Sequence, residues 1–154
     1  MSTLEMETSR RQVFISYARE DIEFAGSLYL ALRRRGFQPW MDKPPSPFDL
    51  DGLRPGENWR TAIDREIGRA DRMILVLSKI SVDKVGYVQV EFRRALEAME
   101  RRPDGRRFAV PILKEPCEVP DLVVGSTRLR ELTWTDLFAI GTERFIDALG
   151  RDMP

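Results

Sequence analysis

The stretch Met73-Ile-Leu-Val-Leu-Ser78 is the most continuous apolar run in the chain. A run so short, with no polar alternation, suits a strand covered on both faces, and such strands belong to the interior of parallel sheets. Parallel neighbours require crossovers, usually helices, and the rest of the sequence supplies both kinds of segment. Gln12-Val-Phe-Ile-Ser-Tyr17, Phe37-Gln-Pro-Trp-Met41, Phe108-Ala-Val-Pro-Ile-Leu113 and Leu129-Arg-Glu-Leu-Thr-Trp134 read as four further strands. Between them, Phe24, Leu28, Ala31 and Leu32 recur at helical spacing, with Asp21 as cap, Arg33-Arg-Arg35 in the last turn and Gly36 as the stop. A second helix starts at Glu57 or Asn58 with Trp59, Ala62, Ile63 and Ile67 inward, and Trp59 is expected in the core. A third spans about 85–101 with Val88, Phe92, Ala95, Leu96 and Met99 on one face, and residues 142–149 close the chain as a helix.

Pro39 cannot donate to a ladder, so the second strand belongs at a sheet edge. With the apolar third strand central, the simplest order is 2-1-3-4-5: an open parallel five-stranded sheet, flavodoxin-like, with helices on both faces in three layers. Ligands of such sheets bind beyond the carboxyl ends of the strands where the order reverses, here between strands one and three. That address holds Ser16-Tyr-Ala-Arg-Glu20, Ser78-Lys79 and the start of the third helix, whose second turn carries Glu91.

Composition narrows the chemistry. At 154 residues and 42% hydrophobic content the chain suits one domain over 12–150, after a loose 1–11 segment and before a tail or linker at 151–154. Lys plus Arg and Asp plus Glu each total 25, so no global charge favours nucleic acid or an anionic membrane. A single cysteine, Cys117, and no histidine remove internal disulfides, zinc clusters and Ser-His-Asp catalysis, and no metal site is expected. The absence of a long apolar run or a signal peptide points to a cytoplasmic protein without a membrane segment. The G-x-G-x-x-G fingerprint is missing, so a dinucleotide would not be held as a hydride cofactor. The loop at 42–56 is rich in proline and too irregular for a helix or strand.

Several segments resemble the Toll/interleukin receptor (TIR) domain family, from about Val13 to Leu149. Val13-Phe-Ile-Ser-Tyr-Ala-Arg-Glu-Asp21 is similar to its first box, and Gly52-Leu-Arg-Pro-Gly56, after Gly36-Phe-Gln-Pro-Trp-Met-Asp42, to its second, in the BB loop. Val76-Leu-Ser78 followed by Tyr87-Val-Gln-Val-Glu91 resembles the third-strand serine and the aromatic-x-x-x-glutamate of the NAD-cleaving, prokaryotic-type branch. Two departures stand out: Tyr87 where Trp is more usual, and a BB loop longer than usual.

The resemblance implies an NAD glycohydrolase that breaks the nicotinamide-ribose bond, with NAD as consumed substrate, no cofactor, and ADP-ribose, linear or cyclic, as product. It implies activation by self-association or by other TIR domains, in immunity (antiviral defence) or cell-death signalling, with a sensor domain fused or separate. The chemistry suits a chain without histidine, because the leaving group is already a pyridinium and departs neutral, so no general acid is required. One carboxylate beside the oxocarbenium-like ribose suffices. Glu91 is the catalytic candidate; its ordinary alternative is a surface glutamate paired with Arg94 at i+3.

The substrate-binding candidates are Ser16, Tyr17, Arg19, Trp40, Ser78 and Tyr87. Ser16 and Ser78 end strands, where a hydroxyl meets either a ribose or local backbone. Arg19 can meet a diphosphate, or pair with Glu20 and Asp21. Trp40 and Phe48 can stack on a base, or serve as core and loop packing. The assembly-loop candidates are Pro45, Phe48, Arg54, Pro55 and Gly56, of which Arg54-Pro55-Gly56 also reads as plain turn geometry. Cys117 reads as a packing residue. The rival functions are a non-catalytic module that binds other TIR domains through the BB loop, and a phospho-receiver, which Ser78 disfavours by standing where an aspartate is required.

Overall fold

The computed structural model describes residues 11–83, 87–102, 107–151 and 153, with the helical backbone alone for 87–91. In chain order the elements are β1 (Gln12–Ser16), α1 (Ile22–Arg34), β2 (Gln38–Trp40), α2 (Trp59–Arg69), β3 (Arg72–Leu77), α3 (Lys79–Asp83), α4 (Tyr87–Arg101), β4 (Ala109–Leu113), β5 (Val123–Val124), β6 (Thr127–Arg128), β7 (Thr135–Asp136), α5 (Leu137–Ile140) and α6 (Thr142–Arg151). A five-stranded parallel sheet runs β2-β1-β3-β4-β7, and β5 and β6 form a separate antiparallel hairpin. The order reverses between β1 and β3, as the apolar pattern requires.

β2 shows why the edge tolerates a proline. Gln38 N–H donates to Arg11 O at 2.8 Å, so Gln38 and, by alternation, Trp40 bond inward to β1. Pro39 then faces outward, where its missing N–H breaks no ladder and discourages pairing by another strand.

Alternation divides the core into two layers. Val13, Ile15, Ile74, Val76 and Ile112 meet α1 and α6 through Leu28, Leu32, Phe145 and Ile146. Phe14, Met73, Leu75, Leu77 and Leu113 meet α2 and α4 through Ile63, Ile67, Phe92, Ala95 and Leu96. Both layers are aliphatic or aromatic, so burial of this kind, worth about 1.5–3 kcal/mol per large side chain, fixes the register of each strand.

Three expectations change. The fifth strand is Thr135–Asp136, paired with Ile112 and Leu113, while Leu129–Glu131 is a 3-10 turn. The apolar pair Leu129 and Leu132 is spaced by three, and Leu132 N–H closes the turn on Leu129 O at 3.1 Å, with Leu129 fully buried. Trp59 is not core: it is 43% exposed, because α2 begins there, above the top of the α2/α4 layer. Asp21 does not cap α1 with its side chain; that carboxylate is used elsewhere.

Candidate functional site at the carboxyl end of the sheet

Where β1, β3 and β4 end, one buried carboxylate ties them together. Asp21, 1% exposed, accepts from Ser78 Oγ at 2.6 Å and from Lys114 Nζ at 2.9 Å. Ser78 is in turn the N-cap of α3 in a reciprocal box: Ser81 N–H donates to Ser78 Oγ at 3.1 Å and Ser78 N–H to Ser81 Oγ at 2.8 Å. The carboxylate beside it raises the pKa of Lys114. Asp21 and Lys114 therefore form a charge-assisted clamp across the switch point, and neither was marked for this role by sequence.

The candidate residues divide between the two faces of the sheet. Ser16 is buried and, by alternation, shares the α2/α4 face with Phe14. Tyr17 belongs to the α1/α6 layer, and its hydroxyl donates to the Asp42 carboxylate. Ser78 is engaged by Asp21 and by its own cap. Arg19 is exposed on the 3-10 turn Arg19–Asp21. Trp40 packs on Phe14, ring centroids 5.1 Å apart, and lines a groove of about 480 Å³ with Gln12, Gln38, Glu66 and Arg69, none of them from α4. Tyr87 and Glu91 occupy the first two turns of α4, and their side chains lie outside the described residues. Arg94, the expected i+3 partner of Glu91, reaches Asp64 on α2 at 3.5 Å. Cys117 packs against the α2/α4 layer, and burial pushes its thiol pKa up.

The long loop has a neck and a lobe. Leu53 N–H donates to Asp42 O at 3.0 Å, closing residues 43–52 into an Ω-like lobe. Gly52 sits in that neck, where a Cβ would lie 2.7 Å from Met41 O and 2.5 Å from Pro44 Cδ. The lobe folds back on α1: Pro45 fits over Gly26, and Phe48 lies 5.9 Å from the Tyr29 ring with the Arg33 guanidinium 3.9 Å from its centroid. Pro45 and Phe48 thus pack within the chain, and Leu50, 71% exposed, is the apolar side chain the lobe presents. After the neck, Arg54-Pro55-Gly56 makes an exposed turn with Gly56 at φ +81°. Glu57 braces it, accepting from Arg54 N–H at 3.1 Å and Arg65 at 3.0 Å, donors that hold its pKa below the usual value. Asn58 then caps α2 through Thr61 N–H at 3.1 Å. The extra residues are therefore looped out, leaving a short turn at the mouth of α2.

A family model of the TIR domain matches residues 13–151, nearly the whole described chain. The chain belongs to the TIR domain family. Among solved structures it is similar to the TIR domain of the Toll-related receptor TRR-2 from Hydra magnipapillata, at 24% identity and TM-score 0.67, over 91% of this chain and 95% of that one. That likeness concerns the fold. No curated protein matches significantly. Membership in this TIR family supports a signalling or interaction module, since TIR domains self-associate or bind one another. Among the described residues no helix is long and apolar enough to cross a membrane, and no group of three or more His, Cys, Asp or Glu converges as metal ligands.

Proposed function

We propose that this TIR domain is an NAD glycohydrolase in which Glu91 stabilises the oxocarbenium-like ribose as nicotinamide leaves, giving ADP-ribose in linear or cyclic form. The observation that carries the reading is the position of Glu91 on the fold. It lies in the second turn of α4, one residue before the fully buried Phe92, on the second helix after β3, the strand at which the order reverses. Ser16 ends β1 on that face of the sheet and is the proposed hydroxyl partner of a ribose. Ser78 and Tyr17 act at one remove, Ser78 by setting α3 and Tyr17 by holding Asp42 at the neck of the loop. Self-association through the exposed Arg54-Pro55-Gly56 turn is the proposed activator, in immune or cell-death signalling.

The experiment is NAD turnover by concentrated protein, with nicotinamide release followed by chromatography. Glu91→Gln is expected to lower kcat by about a hundredfold or more, the loss of about 3 kcal/mol typical of one electrostatic group in an active site. Equal release by the variant and the parent, or none by either under associating conditions, rejects the hydrolase. The latter result leaves an interaction module, a reading the exposed turn also favours.

A further inference from the structure

The groove of about 480 Å³ that Trp40 lines runs along β2, on the α2 side of the sheet. Its floor is two pairs of residues set opposite each other in the β1/β2 register, Gln12 with Gln38 and Phe14 with Trp40. Its wall is the end of α2, with Glu66 and Arg69. β2 is the edge strand, so the groove is open on that side.

Its polar groups are largely unspent. Among the described residues the side-chain amides of Gln12 and Gln38 take no partner. Glu66 accepts from Arg65 Nε at 3.4 Å through Oε1 and leaves Oε2 without one. Arg69 is 61% exposed and reaches Glu66 only at 3.6 Å, beyond hydrogen-bond range. The surrounding field is positive. Arg102 donates to Ile67 O at 2.9 Å at the end of α2, and burial, then the Arg72 and Arg101 cations, push its pKa down against the pull of Asp71. Asp71 itself accepts from Gln12 N–H at 3.0 Å. The groups are also ordered along the groove. Asp71 N–H bonds Gln12 O at 2.8 Å, so Arg69 stands near the glutamine pair at the amino end. Glu66 lies about 4.5 Å further in along the helix, and the Phe14 and Trp40 pair about 6.6 Å further in along the strands.

We infer that this groove is a binding site for a purine nucleoside monophosphate. Arg69 takes the phosphate at the amino end, where a guanidinium fork matches its oxygens. The Gln12 and Gln38 amides serve the ribose hydroxyls, and Glu66 accepts from the base edge beside the Trp40 indole. A guanine suits that carboxylate, because it presents a ring N–H and an amino group on one edge. A cationic ligand would meet the arginine field, and a bare phosphate would leave Glu66 and both amides unmatched. The volume falls within the ordinary range of small-molecule sites. No residue of α4 takes part, so the site stands apart from the hydrolase reading.

Titration calorimetry of the full chain with GMP, guanosine and inorganic phosphate tests the site without turnover. GMP is expected to bind once per chain, with guanosine and phosphate each weaker by about tenfold or more. Arg69→Gln should weaken GMP about tenfold and leave guanosine unchanged, whereas Glu66→Gln should weaken both alike. Gln38→Glu sets a carboxylate in the groove and should abolish GMP binding. Arg69 and Gln38 are exposed, so both variants should keep the parent's thermal midpoint within about 2 °C. Glu91→Gln should bind GMP as the parent does. No heat at millimolar GMP, guanosine bound as tightly as GMP, or affinity unchanged by Arg69→Gln or Gln38→Glu overturns the site. Loss of binding in Glu91→Gln overturns it as well, by moving the ligand to the carboxyl end of the sheet.

Discussion

Consider Lys114→Met, set against Asp21→Asn. The lysine side chain is 33% exposed and the aspartate residue 1% exposed, so intuition assigns the larger penalty to the aspartate. The physics of stranded charge says the opposite. Without Asp21, the ammonium of Lys114 can swing into water, and Ser78 can still donate to the asparagine oxygen, so the cost should be about 1–2 kcal/mol. Without Lys114, the carboxylate stays buried with the Ser78 hydroxyl as its remaining partner in this clamp, and an uncompensated buried charge costs about 3–5 kcal/mol. For a chain of 154 residues this is a fall in midpoint of roughly 6–20 °C.

The decisive measurement is the double variant. Adding Asp21→Asn to Lys114→Met removes the stranded charge, so the double variant should be more stable than Lys114→Met alone by about 1–3 kcal/mol in urea unfolding. The alkaline limb gives an independent sign. Because its partner raises the pKa of Lys114 above the ordinary 10.5, the contribution is complete below that value and is lost as pH climbs through the raised one. The difference in stability between the parent and Asp21→Asn should therefore stay flat from neutral pH to about 10.5 and shrink above it. A double variant less stable than Lys114→Met would refute the clamp, as would Lys114→Met being milder than Asp21→Asn.

Other outcomes follow from the loop and the hairpin. Gly52→Ala should destabilise by about 1–3 kcal/mol, since its Cβ would strike backbone at Met41 and ring carbon at Pro44, whereas Gly56→Ala, with open space and only its φ of +81° against it, should cost about 1 kcal/mol in thermal unfolding. Phe48→Ala should release the lobe from Tyr29 and Arg33, seen as faster proteolysis within residues 43–52 while the midpoint falls by only a few degrees. Glu100 accepts from Ser126 N–H at 2.7 Å and from the hydroxyls of Ser126 and Thr127 at 2.8 and 2.7 Å, which lower its pKa from 4.5. Its contribution is complete above 4.5 and is lost as pH falls through the depressed value, so Glu100→Gln should flatten the acid limb of the stability curve below about pH 4.5.

What the sequence made legible is what short-range pattern encodes. The continuous apolar run at 73–77 and the proline at 39 were enough to order the sheet, because burial on both faces and a missing donor each leave one place for a strand. The fifth strand was misplaced because Leu129, Leu132 and Trp134 mimic a strand's composition while Leu129 and Leu132 have the spacing of a tight turn. Trp59 was misassigned for a related reason: periodicity tells which side of a helix faces inward, and is silent on where along the axis the core ends.

The site was harder to read, and Ser16 and Tyr17 show why. In a motif they are neighbours, and both were given to the substrate. In a strand, consecutive side chains go to opposite faces, so one meets the layer under α4 while the other reaches across to the neck of the loop. A motif read as a string merges two faces that the sheet keeps apart. Asp21 illustrates the converse. At the start of a helix an aspartate looks like a cap, and nothing nearby in sequence says otherwise, because the lysine that claims it is 93 residues away on β4's carboxyl end. Only the parallel order, which brings the ends of β1, β3 and β4 side by side, makes that pairing available.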